Sequence, residues 1–235
     1  MKKVLLLSVA VLGMLTSCSC NGLKVHYSKT EPQAMHERDL KGFERIEQLG
    51  SLDVKYQQAD SFSVRVEAPL KVLNDVETFV TDNKLVVRMK GEGDIINFGV
   101  SDADNVTVHV TSPDFLGIEL KGSGDFESNG LVDTDNLEIT LNGSGDIKFE
   151  DIICDRINVS LVGSGDVDVR NVKTLWAGVQ VVGSGDIKMQ RDNSGAVEAN
   201  LTGSGDITLS GKVKDYKYNV RGSGDMNVNK LIIDN

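Results

Sequence analysis

The fold of this chain is decided by the stretch LNGSGDIKF, Leu141 to Phe149, whose centre recurs along the sequence. The four letters GSGD occur six times, at successive steps of 21, 20, 20, 20 and 19 residues. The copies occupy residues 122–125, 143–146, 163–166, 183–186, 203–206 and 222–225. A regular period of this length is typical of repeat proteins, in which each repeat is one structural unit that stacks on its neighbours.

Apolar and polar residues alternate around each GSGD, and the alternation passes through the motif without changing phase. In one copy the apolar or glycine positions are Leu137, Ile139, Leu141, Gly143, Gly145, Ile147 and Phe149. A period of two indicates β-strands with one face turned inward. Both glycines of the motif then lie on the inward face, while Ser and Asp face outward. An inward glycine indicates a corner that has no space for a Cβ.

Each repeat therefore predicts a strand, a glycine corner, a second strand and a shorter connecting segment, which together form one coil of a parallel β-solenoid. We expect an all-β domain over residues 41–235, with about six coils over residues 116–235. Less regular β-strands should precede the coils over residues 41–115, because period-2 runs occur there without the repeat. A short helical turn competes with strand only within residues 70–79.

The corner residues are the first candidate site. The glycines predicted to form the corners are Gly122, Gly124, Gly143, Gly145, Gly163, Gly165, Gly183, Gly185, Gly203, Gly205, Gly222 and Gly224. The residues predicted to form an exposed ladder beside them are Ser123, Ser144, Ser164, Ser184, Ser204, Ser223, Asp125, Asp146, Asp166, Asp186, Asp206 and Asp225. Carboxylates on successive coils would lie roughly 4.8 Å apart and repel one another. The repulsion is relieved if each Asp accepts backbone N–H bonds at its corner, or if neighbouring coils share a cation. We favour the first arrangement, so no metal site is predicted.

The N-terminus indicates export. A basic start precedes an apolar stretch, residues 4–15, that is too short to span a bilayer. The stretch ends in LTSC, residues 15–18, which resembles the lipobox of bacterial lipoproteins. The resemblance implies cleavage before Cys18 and lipid attachment to it, with residues 1–17 as signal peptide and 18–40 as a flexible tether. We therefore predict a lipid-anchored protein of the cell envelope, at the outer membrane. An ordinary signal peptide beside a cysteine is the alternative.

Charge and cysteine content narrow the classes of partner. Removal of the signal peptide with its two lysines takes the formal charge from −10 to −12. Such an acidic protein does not bind nucleic acid by counterion release. Cys154 stands in an apolar run and is predicted to be a small buried residue. A disulfide between Cys154 and Cys20 remains an open alternative.

The sequence carries no signature of a catalytic site or a cofactor. Of the three histidines, His26 and His36 fall in the predicted tether, and His109 should face outward on its strand. GSGD lacks the lysine and the following helix of a phosphate loop, and both its spacing and its period differ from those of calcium-binding β-roll repeats. The even coil length leaves no room for loops that would build a cleft. The less regular part of the chain has four acidic residues, interpreted as a solvated loop: Glu92, Asp94, Asp102 and Asp104.

Three aromatic residues are candidates for contact with a partner or for the core. Trp176 is the only tryptophan and stands at an outward position, so it is predicted to be exposed or half-exposed. Incidental packing is one interpretation of such a residue, and an anchor for a partner is the other. Tyr216 and Tyr218 follow the inward register of the last coil and are predicted to lie in the core.

The repeated corners and the lipobox, together with FERIEQLGSLDVKYQQ (43–58) and SFSVRVEA (61–68), resemble the auto-transporter adhesin, head GIN domain family. The family is found mainly in Bacteroides-type bacteria, and the resemblance covers the chain from Phe43 onward. It implies a right-handed β-helix on an exported or anchored protein, and it carries no catalytic residues to transfer. We therefore predict a non-catalytic envelope lipoprotein, an adhesin-like module that presents a repetitive polar surface to a protein or glycan. The alternatives are a glycan-binding protein or a carbohydrate-active β-helix enzyme, either a polysaccharide lyase or a glycosidase.

Overall fold

A computed structural model of the protein describes residues 32–91 and 105–234, with residues 192–194 described by their backbone alone. These residues form one sheet of fourteen strands, and their single helical element is a 3₁₀ turn at Leu73–Asp75. Within the same ranges, no helix has the length and apolar character needed to cross a membrane. The all-β fold predicted from the sequence is confirmed.

Short strands open the chain and long strands follow. The short strands are β1 (Gln33–Arg38), β2 (Arg45–Gly50), β3 (Asp53–Gln58), β4 (Ser63–Pro69), β5 (Val76–Thr81), β6 (Lys84–Met89), β7 (Thr107–Ser112) and β8 (Gly117–Gly122). The later strands are β9 (Phe126–Gly143), β10 (Asp146–Gly163), β11 (Asp166–Gly183), β12 (Ile187–Gly203), β13 (Ile207–Gly222) and β14 (Met226–Ile233).

Each long strand is one coil of the predicted solenoid. Strands β10 and β11 pair in parallel, in register, from Asp146 with Asp166 to Gly163 with Gly183. Parallel pairing also joins β9 to β10, β11 to β12, and β12 to β13, with a local register shift near the middle of each pair. Each coil therefore places its residues directly over the equivalent residues of the previous coil. The predicted solenoid of about six coils is confirmed.

The opening region adds one further coil and then antiparallel strands that cover its end. Strand β2 pairs in parallel with β8, and β3 pairs in parallel with β7 and β9. Beyond them, β5 pairs antiparallel with β6, and β1 antiparallel with β4. The predicted less regular β region is therefore confirmed. The expected tether over residues 18–40 is too long, because residues 33–38 form β1 within the sheet.

The core follows the predicted alternation. In β10, for example, Ile157, Val159 and Leu161 are buried while the residues between them face outward. Near the opening coils, four aromatic rings pack inside the solenoid: Tyr56, Phe115, Phe126 and Phe149. Burial raises the pKa of Tyr56 to about 12, and its hydroxyl lies 3.0 Å from Ser112 Oγ.

The last coil departs from the prediction at its two tyrosines. Tyr216 and Tyr218 stand in register with buried Val197 and Ala199, as expected from the repeat. Nevertheless Tyr216 is only half-buried, and Tyr218 is 53% exposed. The reason is that β14 pairs with the first half of β13 and leaves the second half as an edge of the described sheet. An inward register gives burial only where a further coil covers the position.

Candidate functional site

Each GSGD corner is built directly on the corner of the previous coil. The carbonyl oxygen of Gly143 accepts N–H bonds from Ser164, at 3.0 Å, and from Gly165, at 3.2 Å. A Cβ on Gly163 would collide with the carbonyl group of Gly143, and the φ angle of Gly163 is +138°. Glycine is therefore required for two reasons, a backbone conformation that L-residues disfavour and the lack of space between coils.

The two glycines of each motif differ in their surroundings. The second glycine is buried in every corner from Gly124 to Gly205, while the first is half-buried. In the last corner, Gly222 is exposed and Gly224 is half-buried. The atoms that exclude a Cβ belong mainly to the backbone of the neighbouring coil. The alternation in the sequence predicts crowding inside a coil, whereas the structure shows it between neighbouring coils.

The six aspartates form a continuous ladder along the solenoid. The backbone N–H of each Asp donates to Oδ1 of the Asp in the previous coil, at 3.3 Å from Asp166 to Asp146 and 3.1 Å from Asp186 to Asp166. The carboxylate therefore accepts from the next corner, and the expectation that it serves its own corner is wrong. Asp125, Asp166 and Asp225 are exposed, and the other three are half-buried. All six motif serines are exposed.

A seventh corner, Gly50-Ser51-Leu52-Asp53, begins the ladder, and the sequence prediction missed it. Asp53 Oδ1 accepts the N–H of Asp125 at 2.9 Å, and the carbonyl of Gly50 accepts the N–H groups of Ser123 and Gly124. Leu52 stands where the later corners have their second glycine, and it is fully buried. Leucine fits because no corner precedes this one among the described residues. The signal in the sequence is the partial motif GS-x-D.

A charged cluster lies on the outer surface of the opening coils. Glu47 accepts hydrogen bonds from Lys121, at 2.8 Å, and from Lys84, at 3.2 Å. Burial alone would raise the pKa of Glu47, but the hydrogen bonds from Lys121 and Lys84 outweigh it and hold the pKa below its ordinary value. Glu119 also contacts both lysines. Because every carboxylate here has a lysine partner, the cluster is suited to stabilising adjacent coils.

No metal centre is visible in the part of the chain that the structure describes. No set of three or more His, Cys, Asp or Glu side chains is grouped there as metal ligands would be. His109 Nε2 lies 3.0 Å from a carboxylate oxygen of Glu67. Cys18 and the acidic stretch at residues 92–104 lie outside the described residues. The main feature of the described outer surface is the regular row of polar corner residues.

Trp176 lies half-buried on the outside of β11. The guanidinium of Arg156, in the previous coil, lies over its ring at 4.8 Å from the ring centroid. The hydroxyl of Thr174 lies 3.0 Å from the carbonyl oxygen of Trp176 and 3.1 Å from that of Asp155, which ties the backbone here to the neighbouring coil. The structure therefore holds the ring in place on the surface, as suits an anchor residue.

Arg191 is a buried cation that the sequence prediction missed. It follows the inward register, in line with Val172 and Gly211, and is 2% exposed. Its three guanidinium nitrogens have no hydrogen-bond partner among the described residues. Burial lowers its pKa to about 10. Burial also raises the pKa of the nearby Cys154 thiol, which is buried as predicted and has no disulfide partner among the described residues.

Comparison with known proteins adds to this geometry. The family model described as "Putative auto-transporter adhesin, head GIN domain" matches residues 42–176 and 159–235. The chain belongs to this family. The two head GIN matches overlap within β10 and β11, as expected for a repeat whose coils are alike. No functionally curated protein matches the chain.

Solved structures of Bacteroidales proteins share the head GIN fold seen here. A protein from Bacteroides fragilis, described as a putative adhesin, is 20% identical with a TM-score of 0.68, covering 86% of this chain and 98% of its own. A protein from Parabacteroides distasonis, described as a putative lipid binding protein, is 18% identical with a TM-score of 0.68, covering 87% and 98%. A putative adhesin from Parabacteroides merdae is 17% identical with a TM-score of 0.62, covering 87% and 97%. At these identities the likeness shows the fold alone.

Proposed function

We propose that this head GIN protein is a non-catalytic lipoprotein of the cell envelope, and that it acts as an adhesin-like interaction module. The observation that carries the proposal is the unbroken stack of equivalent corners in a chain of this family. Such a stack presents the same groups, Ser and Asp, at each step along its surface. Regular polar surfaces of this kind suit extended contact with a partner.

The geometry of the aspartates argues against catalysis at the corners. A catalytic carboxylate occupies one special position, often with a perturbed environment. Here every corner aspartate from Asp53 to Asp206 accepts the same backbone N–H bond from the next coil. A group in a repeated structural role is a poor candidate for a single reactive centre.

Lipid attachment at Cys18 is the proposed means of anchoring. Several acyl chains, each contributing about 0.8 kcal/mol per buried CH₂, hold a protein durably on a membrane. In a bacterium that processes lipoproteins, Cys18→Ser should abolish incorporation of labelled fatty acid and release the protein from the membrane fraction. Cys20→Ser is the matched control and should leave both unchanged. Retention of label in Cys18→Ser would overturn the anchoring proposal.

Exposure on intact cells tests the adhesin-like role. A protease added to whole cells should digest the domain, and the purified domain should bind saturably to target cells or matrix. Full protection on intact cells, although the domain is digested after lysis, would contradict the adhesin role and place the protein on the periplasmic side.

A carbohydrate-active enzyme remains the competing function, because other β-helix proteins cleave polysaccharides. We expect no time-dependent release of reducing ends or unsaturated uronides when common polysaccharides are incubated with the purified protein. Release of these products that increases with protein concentration and time would overturn the non-catalytic assignment.

A further inference from the structure

We infer that the outer surface around Gly178 is a binding site for a neutral pyranose sugar, with Trp176 as its aromatic platform. This inference rests on the adhesin-like function proposed above and names a ligand class for it. Gly178 is in register with Asn158 in the previous coil and with Glu198 in the next. Side chains stand on both sides of Gly178 in this column, and the glycine leaves a notch between them.

The notch is a depression of about 280 Å³ on the outer surface. A Cβ at Gly178 would lie 2.6 Å from the ring of Trp176 and 2.7 Å from Asn158 Oδ1. The indole ring therefore leans across the position that a side chain would fill. The φ angle of Gly178 is not left-handed, so its role here is to provide space.

One face of the Trp176 ring is covered by Arg156, and the residue in register with Trp176 in the next coil is small. Arg156, in the coil before, covers the first face at 4.8 Å. In the coil after, the residue in register with Trp176 is Ala196, whose methyl group is too short to cover an indole. A flat apolar ring beside an open notch is the surface on which the C–H face of a sugar stacks.

Polar side chains surround the ring at the spacing of sugar hydroxyl groups. Neighbouring coils are roughly 4.8 Å apart, and alternate residues along a strand are roughly 6.6 Å apart. These distances are close to the width of one pyranose ring. The side-chain amides of asparagine and glutamine both donate and accept hydrogen bonds, and the carboxylate of glutamate accepts them, as the hydroxyls of a sugar require. The exposed polar residues that line the notch are Asn158, Gln180, Glu198 and Asn200.

The charges of the site favour a neutral sugar over an acidic one. The guanidinium of Arg156 is engaged with the indole ring, and Glu198 places a carboxylate at the notch. The whole chain has a formal charge of −10, which repels uronic and sialic acids. The ligand class is therefore a neutral hexopyranose or N-acetylhexosamine residue of a glycan.

Trp176 also supplies the assay, because it is the only tryptophan in the sequence. The wild-type protein is titrated with methyl glycosides of neutral hexoses and N-acetylhexosamines while tryptophan emission is recorded. At least one sugar should give a saturable shift to shorter wavelength, with half-saturation in the millimolar range. Glucuronic acid and sialic acid should give a weaker response than the neutral sugars.

Two matched valine variants test the location of the site. Gly178→Val keeps the tryptophan but fills the notch and pushes the Trp176 ring and the Asn158 amide aside, so affinity should fall at least about tenfold. Thr208→Val places the same side chain on another outer segment and should leave the titration unchanged. Trp176→Phe, followed by calorimetry, should also weaken binding. Circular dichroism melting identifies any variant that fails to fold.

The outcomes separate this inference from the proposed function. Equal affinity in Gly178→Val and wild type, or the absence of any saturable neutral-sugar response, overturns the sugar site. If the purified domain still binds cells in that case, the adhesin-like function stands and uses another surface. A stronger response to acidic sugars overturns the assignment of a neutral ligand. Loss of both cell binding and sugar binding overturns both proposals.

Discussion

Replacement of Gly163 by alanine should destabilise the protein strongly, because the added methyl group has no space between two coils. A Cβ at this position collides with the carbonyl group of Gly143. The backbone of Gly163 also has a φ angle of +138°, which alanine disfavours. Two effects therefore act together at this corner.

The magnitude follows from the contacts that the collision disturbs. The carbonyl oxygen of Gly143 accepts N–H bonds from Ser164 and Gly165, and moving the coils apart weakens both. Each bond contributes about 1 kcal/mol to stability. A left-handed backbone costs alanine a further 1 kcal/mol or so. We expect Gly163→Ala to lower the free energy of unfolding by about 3 kcal/mol.

Gly130→Ala is the matched control for backbone strain. Gly130 has a φ angle of +81°, but a Cβ there would meet no atom within 4 Å. This variant should therefore lose only about 1 kcal/mol. Urea denaturation followed by circular dichroism measures both variants against wild type. An equal loss in the two variants would refute the argument that coil spacing excludes side chains at the corner.

Three further changes test the ladder, the charged cluster and the buried arginine. Asp166→Ala removes the acceptor of the Asp186 N–H and should cost about 1 kcal/mol in urea denaturation, whereas Asp166→Asn keeps an acceptor and should cost less. Glu47→Gln should lower the free energy of unfolding by about 1 kcal/mol at neutral pH. Because the folded pKa of Glu47 is lowered, this deficit should vanish as the pH falls through that pKa, and its persistence at low pH would contradict the pairing. Arg191→Met should raise stability by about 1–3 kcal/mol, since it removes a buried charge that has no hydrogen-bond partner among the described residues. Burial lowers the pKa of Arg191 to about 10, so the increase in the free energy of unfolding should be complete below that pH and shrink above it. A less stable Arg191→Met variant would show that a group in the protein pairs with the arginine.

The coil and its corners could be predicted because each residue of a solenoid stacks on its own equivalent one repeat away. The glycine of one GSGD contacts the glycine of the next, so every copy of the motif requires a small residue at the same position. The inward alternation is likewise local to one strand. The corner and the inward face can therefore be predicted from the residues of a single repeat.

The tertiary structure decided the features that depend on unlike neighbours or on the ends of the stack. Leu52 replaces a glycine because no corner lies before it among the described residues, and Tyr218 is exposed because no coil of the described sheet covers it. The notch at Gly178 exists because this residue has no side chain while Trp176 lies beside it and Asn158 and Glu198 flank it from other coils. Burial and contact at such positions depend on residues about twenty places away that differ from one coil to the next. A repeat in the sequence determines how like residues stack, whereas the pocket between unlike residues is determined by their packing in three dimensions.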